Sequence, residues 1–191
     1  MLQSRPHTLE RLALDDNGCG IRTARALRDA LQKKVPPEGG SVGLRSLSLQ
    51  SNCVTDECMM LIAEGLAGSA TLTSLTLARN LINGAGATDL SKALESQRRS
   101  AGAPAGHEEP GCLIDLDLSH NPVSDIGAEA LARAAMACTQ DPMSLTFRVP
   151  WGLERLQLSG TCVGEEGRGI LLGTVAARAA HVAEAARFLA E

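Results

Sequence analysis

Five times along the chain the pattern L-x-x-L-x-L recurs: Leu9, Leu12, Leu14; Leu44, Leu47, Leu49; Leu72, Leu75, Leu77; Leu113, Leu116, Leu118; and Leu153, Leu156, Leu158. No other feature restricts the fold as strongly. Self-similarity at a spacing of a few tens of residues marks a stack of like units, none of which can bury its apolar face alone. The columns continue past the leucines. Eight residues after each first Leu stand Asn17, Asn52, Asn80, Asn121 and then Thr161, and two further on come Cys19, Val54, Ile82, Val123 and Val163. Eight beyond those lie Leu27, Ile62, Leu90, Leu131 and Leu171.

The least interrupted copy, LTSLTLARNLINGAGATDLSKAL from Leu72 to Leu94, shows what each unit builds. Leucines at the first, fourth and sixth positions point inward from a short strand and its bends. At the strand exit the chain turns sharply and leaves backbone groups unpaired inside the stack. An asparagine amide both donates to and accepts from neighbouring turns, which answers that need. Thr161 does only part of this, so the fifth copy is degenerate, as terminal repeats often are. A helix follows the turn. Thr55, Asn83 and Ser124 are expected N-caps, and Asp56, Glu57, Asp125, Glu165 and Glu166 are placed to favour a helix amino terminus. Strands on one side and wider helices on the other predict a solenoid with a concave parallel sheet and a convex layer of helices.

Composition agrees with thin layers. The hydrophobic share is 44%, yet there are two Phe, one Trp and no Tyr, so aliphatic side chains must fill the core. One domain is expected over residues 1–191, with repeats starting near 9, 44, 72, 113 and 153. Those starts are 35, 28, 41 and 40 residues apart, which makes 28 the basic unit and leaves rim insertions at 33–43, 97–111 and 139–152. The first two are rich in Gly, Pro and charge and read as linkers. In the third, Met143, Leu145, Phe147, Val149 and Trp151 alternate with Ser144, Thr146, Arg148 and Pro150. Either this strand-like segment closes over the rim, or it presents Phe147 and Trp151, with Met143 and Leu145, as interface anchors.

At the carboxyl end Leu172, Val175, Ala179, Val182, Ala186 and Leu189 form a heptad-like stripe on a long helix. It either caps the open end of the core or meets another chain. Before Leu9 no amphipathic cap is apparent. Either Met1 to His7 covers that edge, or a neighbour does, or the chain continues a longer one.

The 22 acidic and 18 basic residues, net charge −4, are interspersed, and no basic stripe invites nucleic acid. No apolar run reaches the ~18 residues a membrane span needs, and the amino terminus lacks a secretory pattern. The six cysteines, at 19, 53, 58, 112, 138 and 162, form no dense framework. Free thiols are expected, with Cys19 and Cys58 buried and Cys53 and Cys162 exposed just after the turn. The location implied is cytoplasmic and reducing, with cytoskeleton or cilium as finer options.

The assembled pattern, L-x-x-L-x-L-x-x-N-x-I-x-x-x-G with a helix and a 28-residue period, resembles the ribonuclease-inhibitor-like class of leucine-rich repeats. The resemblance covers Leu9 to about Ala190 and implies an α/β leucine-rich repeat solenoid of about five repeats. Relatives of that class include ribonuclease inhibitor, NOD-like receptor sensors, Ran GTPase-activating proteins, tropomodulin-like actin regulators and axonemal subunits. It therefore implies a non-catalytic scaffold or adaptor for protein partners, such as a subunit of a cytoskeletal or axonemal assembly. A Ran-type GTPase activator is the alternative.

Residues three, five, seven and eight of each copy should face the concavity. The chemically prominent ones are Arg11, Asp15, Asp16, Gln50, Arg79, Asp115, Asp117, His120, Arg155 and Gln157. The full set contains no aromatic, which argues against inhibitor-like tight binding there. Asp115 and Asp117 with His120 suggest acid–base or metal chemistry only in isolation, since the repeat itself dictates their spacing. Neither a P-loop nor a nucleophile elbow is present, so no catalytic residue, cofactor or metal is expected. Contacts with protein partners are expected through the rim insertions and the last helix as well as the concave face.

Overall fold

The computed structural model describes residues 9–32, 43–69, 71–101, 113–136, 153, 155–174 and 176. Within them strands and helices alternate: β1 (Arg11–Ala13), α1 (Ile21–Leu31), β2 (Ser46–Ser48), α2 (Asp56–Gly68), β3 (Ser74–Thr76), α3 (Gly84–Ala101), β4 (Asp115–Asp117), α4 (Asp125–Met136) and β5 (Arg155–Gln157). A fifth helix, α5, covers 165–174. The five strands form one parallel sheet in sequential order, with Leu12, Leu47, Leu75, Leu116 and Leu156 opposite one another across the ladder. These central leucines turn to the helices. Leu47, Leu75 and Leu116 are fully buried, with Leu49, Leu77 and Leu118 beside them. Val54, Ile82, Val123 and Val163 close the core at the bend, and Leu27, Ile62, Leu90 and Leu131 close it from the helices.

The inward expectation fails at one leucine. Leu9 is 59% exposed, because it opens the first turn and no described turn lies beyond it to stack on. Leu12, Leu14, Leu156 and Leu158 are half-buried for the same geometric reason, since end layers are covered from one side only.

The asparagine column is the link between turns. Asn80 Nδ2 donates to the carbonyls of Leu49, Leu77 and Ala78 at 2.9, 2.9 and 3.2 Å, and its Oδ1 accepts the Val54 N–H at 3.1 Å. Asn121 repeats this one turn on, with Leu77 O and Ile82 N–H as its partners in the preceding turn. Asn52 takes the N–H groups of Asn17 and Cys19 and donates to Leu14 O. Each amide thus ties its own turn to the preceding one. Asn17, in the first turn, is exposed, and its side-chain amide donates within its own turn, to Asp15 O.

A second link joins the helix starts, where acids do more than complement a dipole. Asp56 opens α2 but its Oδ1 accepts the N–H groups of Asn83 and Gly86, at 2.9 and 3.0 Å, in the following turn. Asp125 does the same for Gly164 N–H at 2.6 Å. Asn83 caps α3 as expected, accepting the Ala85 N–H at 2.8 Å. Thr55 occupies the N-cap of α2 in extended conformation without a side-chain capping bond.

Such close stacking needs small residues at the helix interface. A Cβ on Gly127 would lie 2.9 Å from both Ala87 Cβ and Val123 Cγ1, and one on Gly65 would lie 2.8 Å from Arg28 Cα. Cys58 fills the slot of Gly86 and is buried. Cys19 is buried, Cys53 and Cys162 are exposed, and all four are free thiols. Cys112 and Cys138 lie outside the described residues.

One insertion boundary needs correction. Residues 97–101, expected to begin the linker 97–111, continue α3 to Ala101. The reason is Gln97, only 3% exposed, whose Nε2 donates to Leu66 O at 2.8 Å and Ser69 O at 3.3 Å while its Oε1 accepts the Leu113 N–H. A glutamine that closes the carboxyl end of α2 and the entry to β4 holds the helix past its apolar pattern. The remainder of that insertion, nearly all of 33–43 and the whole of 139–152 lie outside the described residues. The C-terminal stripe is described only at Leu172, which is 70% exposed.

Two outcomes follow from these contacts. Asn80→Ala should cost about 3 kcal/mol, because it strands a buried N–H and a buried carbonyl of the preceding turn, whereas exposed Asn17→Ala should cost less than about 0.5 kcal/mol. Chemical denaturation of both variants measures the difference. Gly127→Ala should lose about 1–3 kcal/mol through the clash, while Gly169→Ala, with open space around the added methyl, should gain up to about 1 kcal/mol in helix propensity. Thermal unfolding should shift in opposite directions for the two.

Candidate interaction surface

The side chains flanking the central leucine of each strand point away from the helices, so the sheet face is a grid. Register aligns Arg11, Ser46, Ser74, Asp115 and Arg155 in one row and Ala13, Ser48, Thr76, Asp117 and Gln157 in the next. Its middle is a lane of small hydroxyls, with charge at both ends. Parallel strands stand about 4.8 Å apart, which brings neighbours in a row into direct contact. Arg155 Nη1 accordingly meets Asp115 Oδ2 at 3.0 Å, an exposed pair of small energetic weight.

Several candidate groups are already committed within the protein. Asp15 Oδ1 accepts the Ser48 hydroxyl at 2.5 Å and the Gln50 N–H at 2.8 Å, fastening the first turn to the second. Asp117 Oδ1 accepts both the hydroxyl and the N–H of Ser119, at 2.6 and 2.8 Å. The acid pair that suggested chemistry therefore divides, Asp115 to Arg155 and Asp117 to a local turn. His120 is exposed and stands against Gly160, where a Cβ would lie 2.4 Å from Nδ1. Arg11, Asp16, Arg79, Arg155 and Gln157 are exposed, and Gln50 is half-buried.

The eighth residue of every turn has a left-handed backbone: Asp16, Ser51, Arg79 and His120 at φ of 57, 53, 56 and 57°, and Gly160 at 68°. This conformation reverses the chain so that in the second, third and fourth turns the next residue, Asn52, Asn80 or Asn121, enters the core. It costs a non-glycine residue roughly 1–2 kcal/mol. The exposed rim position thus carries strain imposed by the buried link beside it.

The structure adds an apolar rim of which the sequence reading had marked only Cys53 and Cys162 as exposed. Cys53, Leu81, Pro122 and Cys162, one residue after the asparagine position, are all exposed, Leu81 by 56%. Ile126 on α4 is 71% exposed and borders a groove between the starts of α3 and α4, lined also by Ala85, Thr88, Lys92, Pro122 and Ser124. Gly84 opens this groove by leaving bare the position that Asp56 and Asp125 occupy in the second and fourth turns. The signal was a column of non-polar residues outside the leucine register. The other proposed anchors, Met143, Leu145, Phe147 and Trp151, lie outside the described residues. Among the described residues no helix is long and apolar enough to cross a membrane.

A family model described as "Leucine Rich repeat" matches residues 44–63 and 112–132, covering the strand, turn and first helical turns of the second and fourth units. The chain folds as an α/β leucine-rich repeat solenoid. Among solved structures, leucine-rich repeat architecture is shared with "Leiomodin-1 Actin-Binding Site 2 (ABS2)", at a TM-score of 0.55 and 16% identity over 94% of this chain and 88% of that one. That likeness is one of fold. A search of curated protein sequences returns no significant match. Leucine-rich repeat domains bind protein partners, and the exposed grid and rim are the surfaces this one presents.

Asp15 and Asp16 separate the structural from the exposed part of this surface. Asp15→Ala should cost about 1–3 kcal/mol by leaving the Gln50 N–H without its acceptor. Asp16→Gly should leave stability unchanged or raise it by up to about 1 kcal/mol, because glycine relieves the left-handed strain. Urea titration of the two variants checks both.

Proposed function

We propose that this protein is a non-catalytic adaptor of the ribonuclease-inhibitor-like repeat class, acting inside the cell as a subunit of a cytoskeletal assembly. The observation that carries the reading is the sheet face: five strands in register present small hydroxyls and exposed charges, with no described element covering them. A helix in every turn, 11–18 residues long in the first four, supports that class over the thinner repeats whose convex side is not helical. The cytoskeletal part rests on likeness in fold to the actin-binding site 2 of leiomodin-1.

The chemistry of the face suits a scaffold. Asp115 and Asp117 are held by Arg155 and Ser119, and the grid has no aromatic side chain to anchor a tight inhibitor-like contact. Binding energy must then come from the rims, from Leu81, Pro122 and Ile126 on one side and from Phe147 and Trp151, with Met143 and Leu145, in the insertion at 139–152.

Co-sedimentation with filamentous actin and gel filtration with monomeric actin test the reading. Saturable binding of the wild-type chain is expected in one of the two assays. Phe147→Ala with Trp151→Ala should weaken capture more than Asp115→Ala with Asp117→Ala. Absence of binding in both assays removes actin as the partner, and equal capture by the aromatic double variant and wild type removes the insertion as the anchor.

A further inference from the structure

We propose that the joint between the fourth and fifth repeats is a built-in weak point at which the fifth repeat opens as a unit, uncovering the free edge of β4. At each earlier joint a buried asparagine binds the turn before it: Asn52 accepts the Cys19 N–H, Asn80 the Val54 N–H and Asn121 the Ile82 N–H. The next donor in that column is the Val123 N–H. Val123 is completely buried, and its N–H has no acceptor among the described residues. The fifth turn places Thr161 where the asparagine belongs, and its hydroxyl donates to Leu158 O, within its own turn.

What remains at the joint includes no buried side-chain amide. The β4–β5 ladder, the exposed Asp115–Arg155 pair and the Asp125 contact to Gly164 hold it from outside. The inward leucines Leu156, Leu158 and Leu171 are only half-buried. Gly164, Gly167, Gly169 and Gly173 lower the helix propensity of the segment that would hold the repeat together once it separates. Because a repeat array couples through nearest neighbours, one missing link lowers the opening cost of everything beyond it. Opening bares the outer edge of β4 and the side of Leu116, Leu118 and Val123, a parallel edge competent to pair with another strand.

Terminal fraying alone would loosen both ends equally, and the first repeat serves as the control because Asn52 anchors it fully. Native-state hydrogen exchange read by mass spectrometry tests the joint on the whole chain. The amides of 155–171 should exchange by a common opening at least tenfold faster than those of 11–31. Thr161→Asn should slow exchange in 155–171 about tenfold and protect the Val123 amide. Asn52→Thr should bring 11–31 to the rates of 155–171. Equal exchange at the two ends of the wild-type chain, or exchange in 155–171 unaffected by Thr161→Asn, overturns the proposal.

Discussion

One side-chain amide at each of the first three joints holds this solenoid together. A leucine core alone gives stacking without register, because aliphatic contacts are non-directional and a turn slid along its neighbour keeps much of its burial. The asparagine removes that freedom. Its carboxamide has fixed donors and acceptors, and inside the core they find partners only when one turn sits in a single position over the last. Asn80 and Asn121 are 5% and 2% exposed, so loss of register leaves polar groups stranded where water cannot reach them.

The rest of the turn is shaped around that demand. A strand exit that sends an amide back into the core must first reverse, which explains the left-handed φ of Ser51, Arg79 and His120, and the same reversal recurs at Asp16 and Gly160 in the end turns. Four of the five carry a side chain there despite the strain. The buried hydrogen bonds that follow, each worth about 1 kcal/mol net and more if left unmade, offset it. The helix layer uses the same principle with charge: Asp56 and Asp125 reach across to the next helix start and tie convex side to convex side as the asparagines tie the bends.

Most of the fold was legible in the sequence because those links recur at fixed spacing. Leucine, asparagine and bend columns name the strands, the core and the joints, including the defect at Thr161. Single events were harder to see. Gln97 extends α3 through a set of three hydrogen bonds not repeated elsewhere among the described residues, and no periodicity announces it. The strand register was readable from spacing, but the internal commitment of Asp15 and Asp117 depends on which oxygen meets which neighbour, a matter of ångströms rather than spacing. The exposed Leu81 and Ile126 were missed because an apolar residue in a leucine-rich sequence looks like core until its direction is known.

The same division says where recognition can reside. Positions that serve the stack have little freedom to vary, since their partners are backbone atoms of the adjacent turn. Positions three, five, eight and ten, Ser48 with its bond to Asp15 aside, carry no such duty, and there the turns differ most: serine and threonine in the middle, charge at the ends, cysteine, leucine and proline along the rim. A hydroxyl lane without aromatics offers many weak contacts and no dominant anchor, so a partner must engage several turns at once or bring its own apolar group to the rim. In either case binding depends on turns keeping their relative positions. A joint lacking its amide then affects more than stability, because it decides whether the fifth repeat is held in place when the surface is read.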